Sequence, residues 1–169
     1  MVTHLVVMGV TGTGKSSVAR ALQESLGWRF AEGDDLHPAS NVAKMAAGIP
    51  LQDADRWPWL EAIGAWTRAR DREGLATIVT CSALRRAYRD RLREAASSTV
   101  FVHLVGTPAL LESRLQGRTG HFMPVSLLPS QLAALEPLDP NERGFEVSVD
   151  APLATIASEV LARLNQEHP

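Results

Sequence analysis

Residues 9 to 16 read Gly-Val-Thr-Gly-Thr-Gly-Lys-Ser, with Gly9 and Gly14 separated by four residues and followed at once by Lys15 and Ser16. That spacing suits an anion. Glycines adopt backbone conformations closed to other residues, and they let N–H groups approach a phosphate closely. A helix starting here would add the positive end of its dipole. In this reading Gly9, Val10, Thr11, Gly12, Thr13 and Gly14 form the cradle, and Lys15 reaches the terminal phosphates. The Ser16 hydroxyl then ligates Mg²⁺. Ser17 reads as helix surface or packing. The ligands expected are therefore a nucleoside triphosphate and Mg²⁺.

A phosphate cradle is shared by switches, motors and kinases. A GTP switch would carry an Asn-Lys-x-Asp element, which the sequence lacks. A motor ATPase would carry an apolar strand ending in a metal-binding Asp, whereas the strand-like run at 75–82 ends in Cys81-Ser82. These features lean towards a small-molecule kinase. A second chemical segment, Glu32-Gly-Asp34-Asp35-Leu-His37-Pro38, follows another short apolar run. A carboxylate there can orient a hydroxyl or accept its proton. Asp34 is read as functional and Asp35 as a cap for the next helix. His37 either hydrogen-bonds a polyol or shapes the turn.

The elements that must position these groups alternate along the chain. Apolar runs at 4–9, 28–33, 75–82, 99–106 and 145–150 read as strands. Between and after them, 15–26, 38–47, 53–72, 85–96, 107–117 and 152–165 carry helical patterns. Asp53 is expected to cap the third helix, and the Pro-containing stretch 124–143 is the least regular part. Alternation of this kind predicts an α/β chain: a five-stranded parallel sheet with helices on both faces. Ligands then bind at the carboxyl ends of the strands. With 169 residues, 45% of them hydrophobic, the chain fits one globular domain over 1–169. The formal net charge of -2 argues against a nucleic-acid partner. The single cysteine excludes an internal disulfide and suits the cytosol. No apolar run is long enough to cross a membrane, and the N-terminus lacks the pattern of a signal peptide.

Four segments, in order, carry a resemblance to a known family: "MGVTGTGKS", "EGDDLHPASNVAKMAAGIPLQDADRWPWL", "CSALRRAYRDRLR" and "ESRLQGRTGHFM". Together they resemble the P-loop gluconate kinases, which make 6-phosphogluconate from D-gluconate and ATP. The GD-x-LHP-x-x-N-x-x-KM and R-x-GHF segments are more specific than the phosphate loop. The resemblance covers almost the whole chain. It implies a fold like that of nucleoside monophosphate and shikimate kinases, with an acceptor-binding region at about 34–66 and a mobile lid at about 117–130. It also implies a cytoplasmic homodimer. Two departures stand out: Glu32 occupies a position where some members have Asp, and Pro124, Pro129, Pro137 and Pro140 enrich the segment after the lid.

Roles follow from phosphoryl-transfer chemistry together with that resemblance. Lys15, Asp34 and Arg118 are the catalytic candidates, Asp34 orienting the gluconate 6-hydroxyl. A substrate carboxylate invites Arg or Lys. Lys44, Arg56 and Arg85 are the candidates, each with surface charge as its alternative, and "DADR" could be a local ion pair. Most arginines of 85–96 read as a solvated face. By resemblance, Arg114 lies over adenine, Arg118 reaches the transferring phosphate from the lid, and Pro152 helps frame the adenine edge. His121 either binds substrate or holds the lid in shape. Cys81 reads as a small core residue, and Trp57 or Trp59 could line the acceptor pocket. The rival readings are another small-acceptor kinase of this fold, acting on shikimate or another sugar acid, a regulatory nucleotide-binding protein, and an inactive binding subunit.

Overall fold

The computed structural model describes residues 1–117 and 127–167. Thirteen segments follow in order, beginning with β1 (His4–Met8), α1 (Lys15–Leu26) and β2 (Arg29–Glu32). A short 3₁₀ turn, Gly33–Leu36, leads into α2 (Ala39–Ala46), α3 (Asp53–Arg72) and β3 (Thr77–Thr80). Then come α4 (Arg86–Ala95), β4 (Thr99–Val105), α5 (Pro108–Gln116), α6 (Leu128–Ala134), β5 (Gly144–Ser148) and α7 (Leu153–Glu167). The strands form one sheet in the order β2-β3-β1-β4-β5, and every pairing is parallel. The α/β fold class read from the sequence is the one observed.

Period-two alternation divides the core between the two faces of the sheet. Leu5 and Val7 of β1 join Val18, Leu22, Leu111, Ile156 and Val160 from α1, α5 and α7. Val6 and Met8 face the other way and join Trp59, Leu60, Ile63, Tyr88 and Leu92 from α3 and α4. Parallel strands covered on both faces are expected to be apolar throughout, and β1 is buried at all five positions. Cys81 sits in this second core, where burial pushes its thiol up to about 12. It is a packing residue, as expected.

Four local expectations change. The irregular stretch contains α6, whose Pro129 occupies the first turn, where a missing N–H costs nothing. Asp53 is the first residue of α3 and Gln52 is its cap. Asp55, not Asp53, accepts the Gln52 N–H at 2.9 Å. Asp35 caps no helix: the 3₁₀ turn intervenes, and Pro38 is the N-cap of α2. Finally, Arg89 of α4 is fully buried rather than solvated. Its guanidinium contacts both carboxylate oxygens of Glu142, at 2.7 and 2.9 Å, and the carbonyls of Ala83, Glu136 and Pro137. A buried charge is tolerable when paired and fully hydrogen-bonded in this way. The arrangement ties the β3–α4 turn to the segment before β5.

Candidate active site

The loop between β1 and α1 is shaped by backbone constraints. Gly9 has φ 144, and a Cβ there would meet the Leu104 carbonyl oxygen at 2.7 Å. Gly14, the N-cap of α1, is left-handed at φ 82, and α1 has no side-chain cap there. The helix thus starts from a glycine, with its positive dipole end at the loop, which is the setting for an anion. Thr13 Oγ1 donates to the Val10 carbonyl at 2.9 Å and braces the loop from within. Lys15 Nζ donates to the carbonyls of Gly9 and Val10 at 3.0 and 3.1 Å, so its ammonium lies folded across the loop.

Ser16 points from the first turn of α1 towards the end of β2. Its hydroxyl donates to Glu32 Oε2 at 3.0 Å. Thr80, paired with Glu32 in the β2–β3 register, donates to the same oxygen at 2.6 Å and accepts the Gly33 N–H at 3.1 Å. A serine hydroxyl and a carboxylate meeting beside a phosphate cradle form an oxygen donor set that fits a hard cation such as Mg²⁺, which is usually completed by phosphate oxygens and water. Among the described residues no cluster of three or more His, Cys, Asp or Glu could hold a metal by itself. Thr80 is absent from the residues read from the sequence; only its strand-end position signals it.

Asp34 is exposed on the 3₁₀ turn immediately beyond Glu32. The turn is held from below by Trp59, whose Nε1–H donates to the Gly33 carbonyl at 2.7 Å. The Trp59 ring also stacks on His37, with centroids 4.2 Å apart and planes 12° off parallel. Asn41 Nδ2 donates to His37 Nδ1 at 3.2 Å, which leaves the proton of the neutral ring on Nε2. Burial lowers the His37 pKa, the Asp34 charge opposes that shift, and Arg56 reinforces it. His37 is therefore a neutral N–H donor at physiological pH. Trp59 thus holds both ends of the turn that carries Asp34, through Gly33 and His37.

The three basic candidates separate. Lys44 Nζ sits 2.8 Å from Asp55 Oδ1, so its charge is matched inside the protein. Its hydrogen bond, followed by the Gln52 N–H, lowers the Asp55 pKa. Arg56 pairs with Asp53 at 3.4 Å, the local ion pair anticipated from "DADR", and its guanidinium lies 5.7 Å from the centre of the Tyr88 ring. Tyr88 donates its hydroxyl to Asp53 Oδ1 at 2.5 Å, and that bond leads the lowering of the Asp53 pKa, with Arg56 and Arg85 contributing. Arg85, exposed at the N-cap of α4, therefore shares Asp53 as a neighbour with Arg56. Two guanidiniums converge electrostatically on one carboxylate, and a ligand carboxylate could take advantage of the same convergence. From sequence Asp53 reads only as a helix cap or a local ion-pair partner, and Tyr88 is not singled out, because a helical Tyr carries no chemical signature.

On the other side of the loop, a hollow of about 210 Å³ is lined by Thr13, Gly14, Ser17, Arg114, Ala151 and Leu153 among others. Arg114 is pinned to its wall by donating to the Val149 carbonyl at 2.6 Å. Ser17, exposed on α1 as read from the sequence, lines this hollow. Pro152 is not among the lining residues. Its carbonyl instead accepts the N–H groups of Thr155 and Ile156 at the start of α7, while its neighbours line the space. A larger hollow of about 400 Å³, beside Asp90, Arg93, Glu94 and Ser97, lies on α4 and the turn after it, with none of the candidate site residues in its lining. Arg118 and His121 lie outside the described residues, as does most of the expected lid.

Comparison with known proteins gives consistent results. A family model described as an AAA domain matches residues 5–138. The gluconokinase of Gluconobacter oxydans is 48% identical over 163 residues, covering 96% of this chain and 92% of that protein. A crystal structure of a gluconokinase from Sinorhizobium meliloti 1021 superposes with a TM-score of 0.87 at 50% identity, covering 97% of this chain and 92% of that one. Shikimate kinase from Aquifex aeolicus shares the fold, with a TM-score of 0.63 at 15% identity and coverage of 98% of both chains.

Proposed function

The chain belongs to the gluconokinase family, and from that premise we propose that it transfers the terminal phosphoryl group of ATP to the 6-hydroxyl of D-gluconate, giving 6-phospho-D-gluconate and ADP. The observation that carries the reading is the meeting of cradle and acidic strand end. Ser16 donates to Glu32 at 3.0 Å, and Asp34 stands exposed on the turn that follows. Donor machinery and a candidate base thus share one sheet edge.

Phosphoryl transfer needs charge neutralisation and in-line alignment more than covalent chemistry. The N–H groups of residues 12–16 and the α1 dipole bind the phosphates, since those of Gly9 and Thr11 are donated to the Ser82 carbonyl and to Gln131. Lys15 exchanges the Gly9 and Val10 carbonyls for phosphate oxygens. Adenine occupies the hollow between Arg114 and the start of α7. Ser16 and Glu32 would hold Mg²⁺, whose chemistry there is to neutralise phosphate charge. Asp34 orients the gluconate 6-hydroxyl and takes its proton. The new bond forms between that oxygen and the γ-phosphorus as the bond to the β–γ bridging oxygen breaks, and ADP leaves. Arg56 and Arg85 receive the gluconate carboxylate, and His37 Nε2–H donates to a chain hydroxyl. Lys44 acts through Asp55, bracing α2 against α3.

Arg118 and His121, by the family resemblance, complete the site from a lid at about 117–130, with the acceptor region at about 34–66. A cytoplasmic homodimer is part of the same proposal. None of the helices is long and apolar enough to cross a membrane among the described residues. The test is a substrate panel: Mg-ATP should yield ADP when D-gluconate is added, and far less with shikimate or glucose. ADP release indifferent to gluconate would sink the assignment. Light scattering of the purified protein tests the dimer.

A further inference from the structure

One helix touches both halves of the site. Gln131 of α6 accepts the Thr11 N–H through Oε1 at 2.7 Å, so the phosphate loop is held by a residue 120 positions away. Just past the end of α6, the Glu136 N–H donates to the Leu84 carbonyl at 2.7 Å. The Glu136 carboxylate accepts the Arg86 N–H at 2.8 Å. Leu84 and Arg86 flank Arg85, on the acceptor side. The helix between these ties is anchored: Leu128 is buried in the core, and Leu135 packs against both core clusters. Arg89 fixes the far end by holding the carbonyls of Ala83 and Glu136 together, at 2.9 and 3.0 Å.

The chemistry of the two ties suits their places. Thr11 is nearly buried, at 9% exposure, so its N–H needs a partner. A neutral amide oxygen supplies one without placing a negative charge beside bound phosphates. At the other end, a carboxylate accepting an N–H in the first turn of α4 is favoured by that helix dipole. Neither side chain is placed to meet a reacting atom.

We propose that Gln131 and Glu136 are positioning residues, which use α6 as a strut to set the separation between the phosphate loop and the acceptor-side turn carrying Arg85. The inference rests on the gluconate kinase reading. Alignment of donor and acceptor is worth orders of magnitude in rate, so loosening either tie should cost turnover more than binding.

The experiment compares Gln131→Met, Glu136→Ala, Glu136→Gln and the Gln131→Met/Glu136→Ala double variant with the wild-type chain. Steady-state kinetics are measured together with 6-phosphogluconate formed per ADP released. Gln131→Met and Glu136→Ala should each lower kcat about tenfold, with KM for ATP little changed. The yield of phosphogluconate per ADP should fall as phosphate is lost to water. Glu136→Gln keeps an acceptor oxygen and should behave like wild type. The double variant should lose less than the product of the single losses, because both ties serve one element. Normal kcat and yield in the folded fraction, whatever the melting temperature, would overturn the strut, as would fully multiplicative losses. The wild-type panel separates the two readings. A chain that ignores gluconate overturns both, whereas a gluconate-active chain with unaffected variants overturns the strut alone.

Discussion

The phosphate loop is eight consecutive residues shaped by backbone constraints, whereas the acceptor side gathers side chains from β2, α2, α3 and α4. On the donor side the key groups are backbone N–H donors, and glycine conformation places them. On the acceptor side the key groups are charged, and they are matched to one another: Lys44 with Asp55, Arg56 with Asp53. The donor side needs little rearrangement beyond Lys15 leaving two carbonyls. In the proposed mechanism the acceptor side exchanges at least one internal carboxylate, Asp53, for that of the substrate. On that proposal, affinity for the acceptor is a difference between two ion pairings, and binding of the nucleotide is closer to a direct gain.

That contrast can be broken by substitution. Lys15→Met should have the largest effect, lowering kcat by about a thousandfold, in line with loss of a preorganised electrostatic group. Stopped or quenched assays at saturating ATP measure it, and a retained kcat would mean that the loop alone neutralises the phosphates. Asp34→Asn should lower kcat by about a hundredfold, as loss of a general base does, with nucleotide affinity preserved in calorimetry. A fully active variant removes Asp34 from the mechanism. Arg56→Ala should raise KM for gluconate about tenfold and leave KM for ATP alone, the value of one charged contact. If KM for ATP rises instead, the division between the two sides is wrong.

The smallest expected effect concerns pH. His103 in β4 is 2% exposed, and its Nδ1 lies 3.5 Å from Glu146 Oε1, too far for a sound hydrogen bond. Burial lowers its pKa, the Glu146 charge opposes that shift, and His37 is lowered by burial as well. The unfolded chain therefore takes up protons first. Stability is complete above the ordinary value of 6.5 and is lost as pH falls from there towards the lower folded values. Denaturant titrations should show lower stability at pH 5.5 than at pH 7.5, with the difference reduced in His103→Gln. An unchanged midpoint would show that both histidines are solvated when the chain is folded.

Much of the fold was legible because its signals are local. Five apolar runs became five strands, and α5 carries a recognisable start in Thr107-Pro108, where Thr107 Oγ1 accepts the Leu110 N–H at 3.2 Å. α6 was missed because three prolines near it, Pro129, Pro137 and Pro140, suggest irregularity, yet one of them suits a helix start. Arg89 is the buried exception on a helix whose arginines otherwise read as a solvated face, because helical spacing gives a face but not what covers it. The covering residue, Glu142, arrives from 53 positions away.

The same distinction runs through the site. By itself the sequence determined the phosphate loop, since glycine conformation, the lysine and the helix start lie within eight residues and depend on nothing distant. It also determined the parallel sheet, through the alternation of buried strands with helices. Tertiary structure alone decided that Glu32 meets Ser16, that Trp59 carries His37, and that Arg85 and Tyr88 join the Arg56–Asp53 pair. It also brought Gln131 to Thr11. Charges and hydrogen bonds act over a few ångströms in space, and chain neighbours do not specify which distant side chains folding will bring within that range.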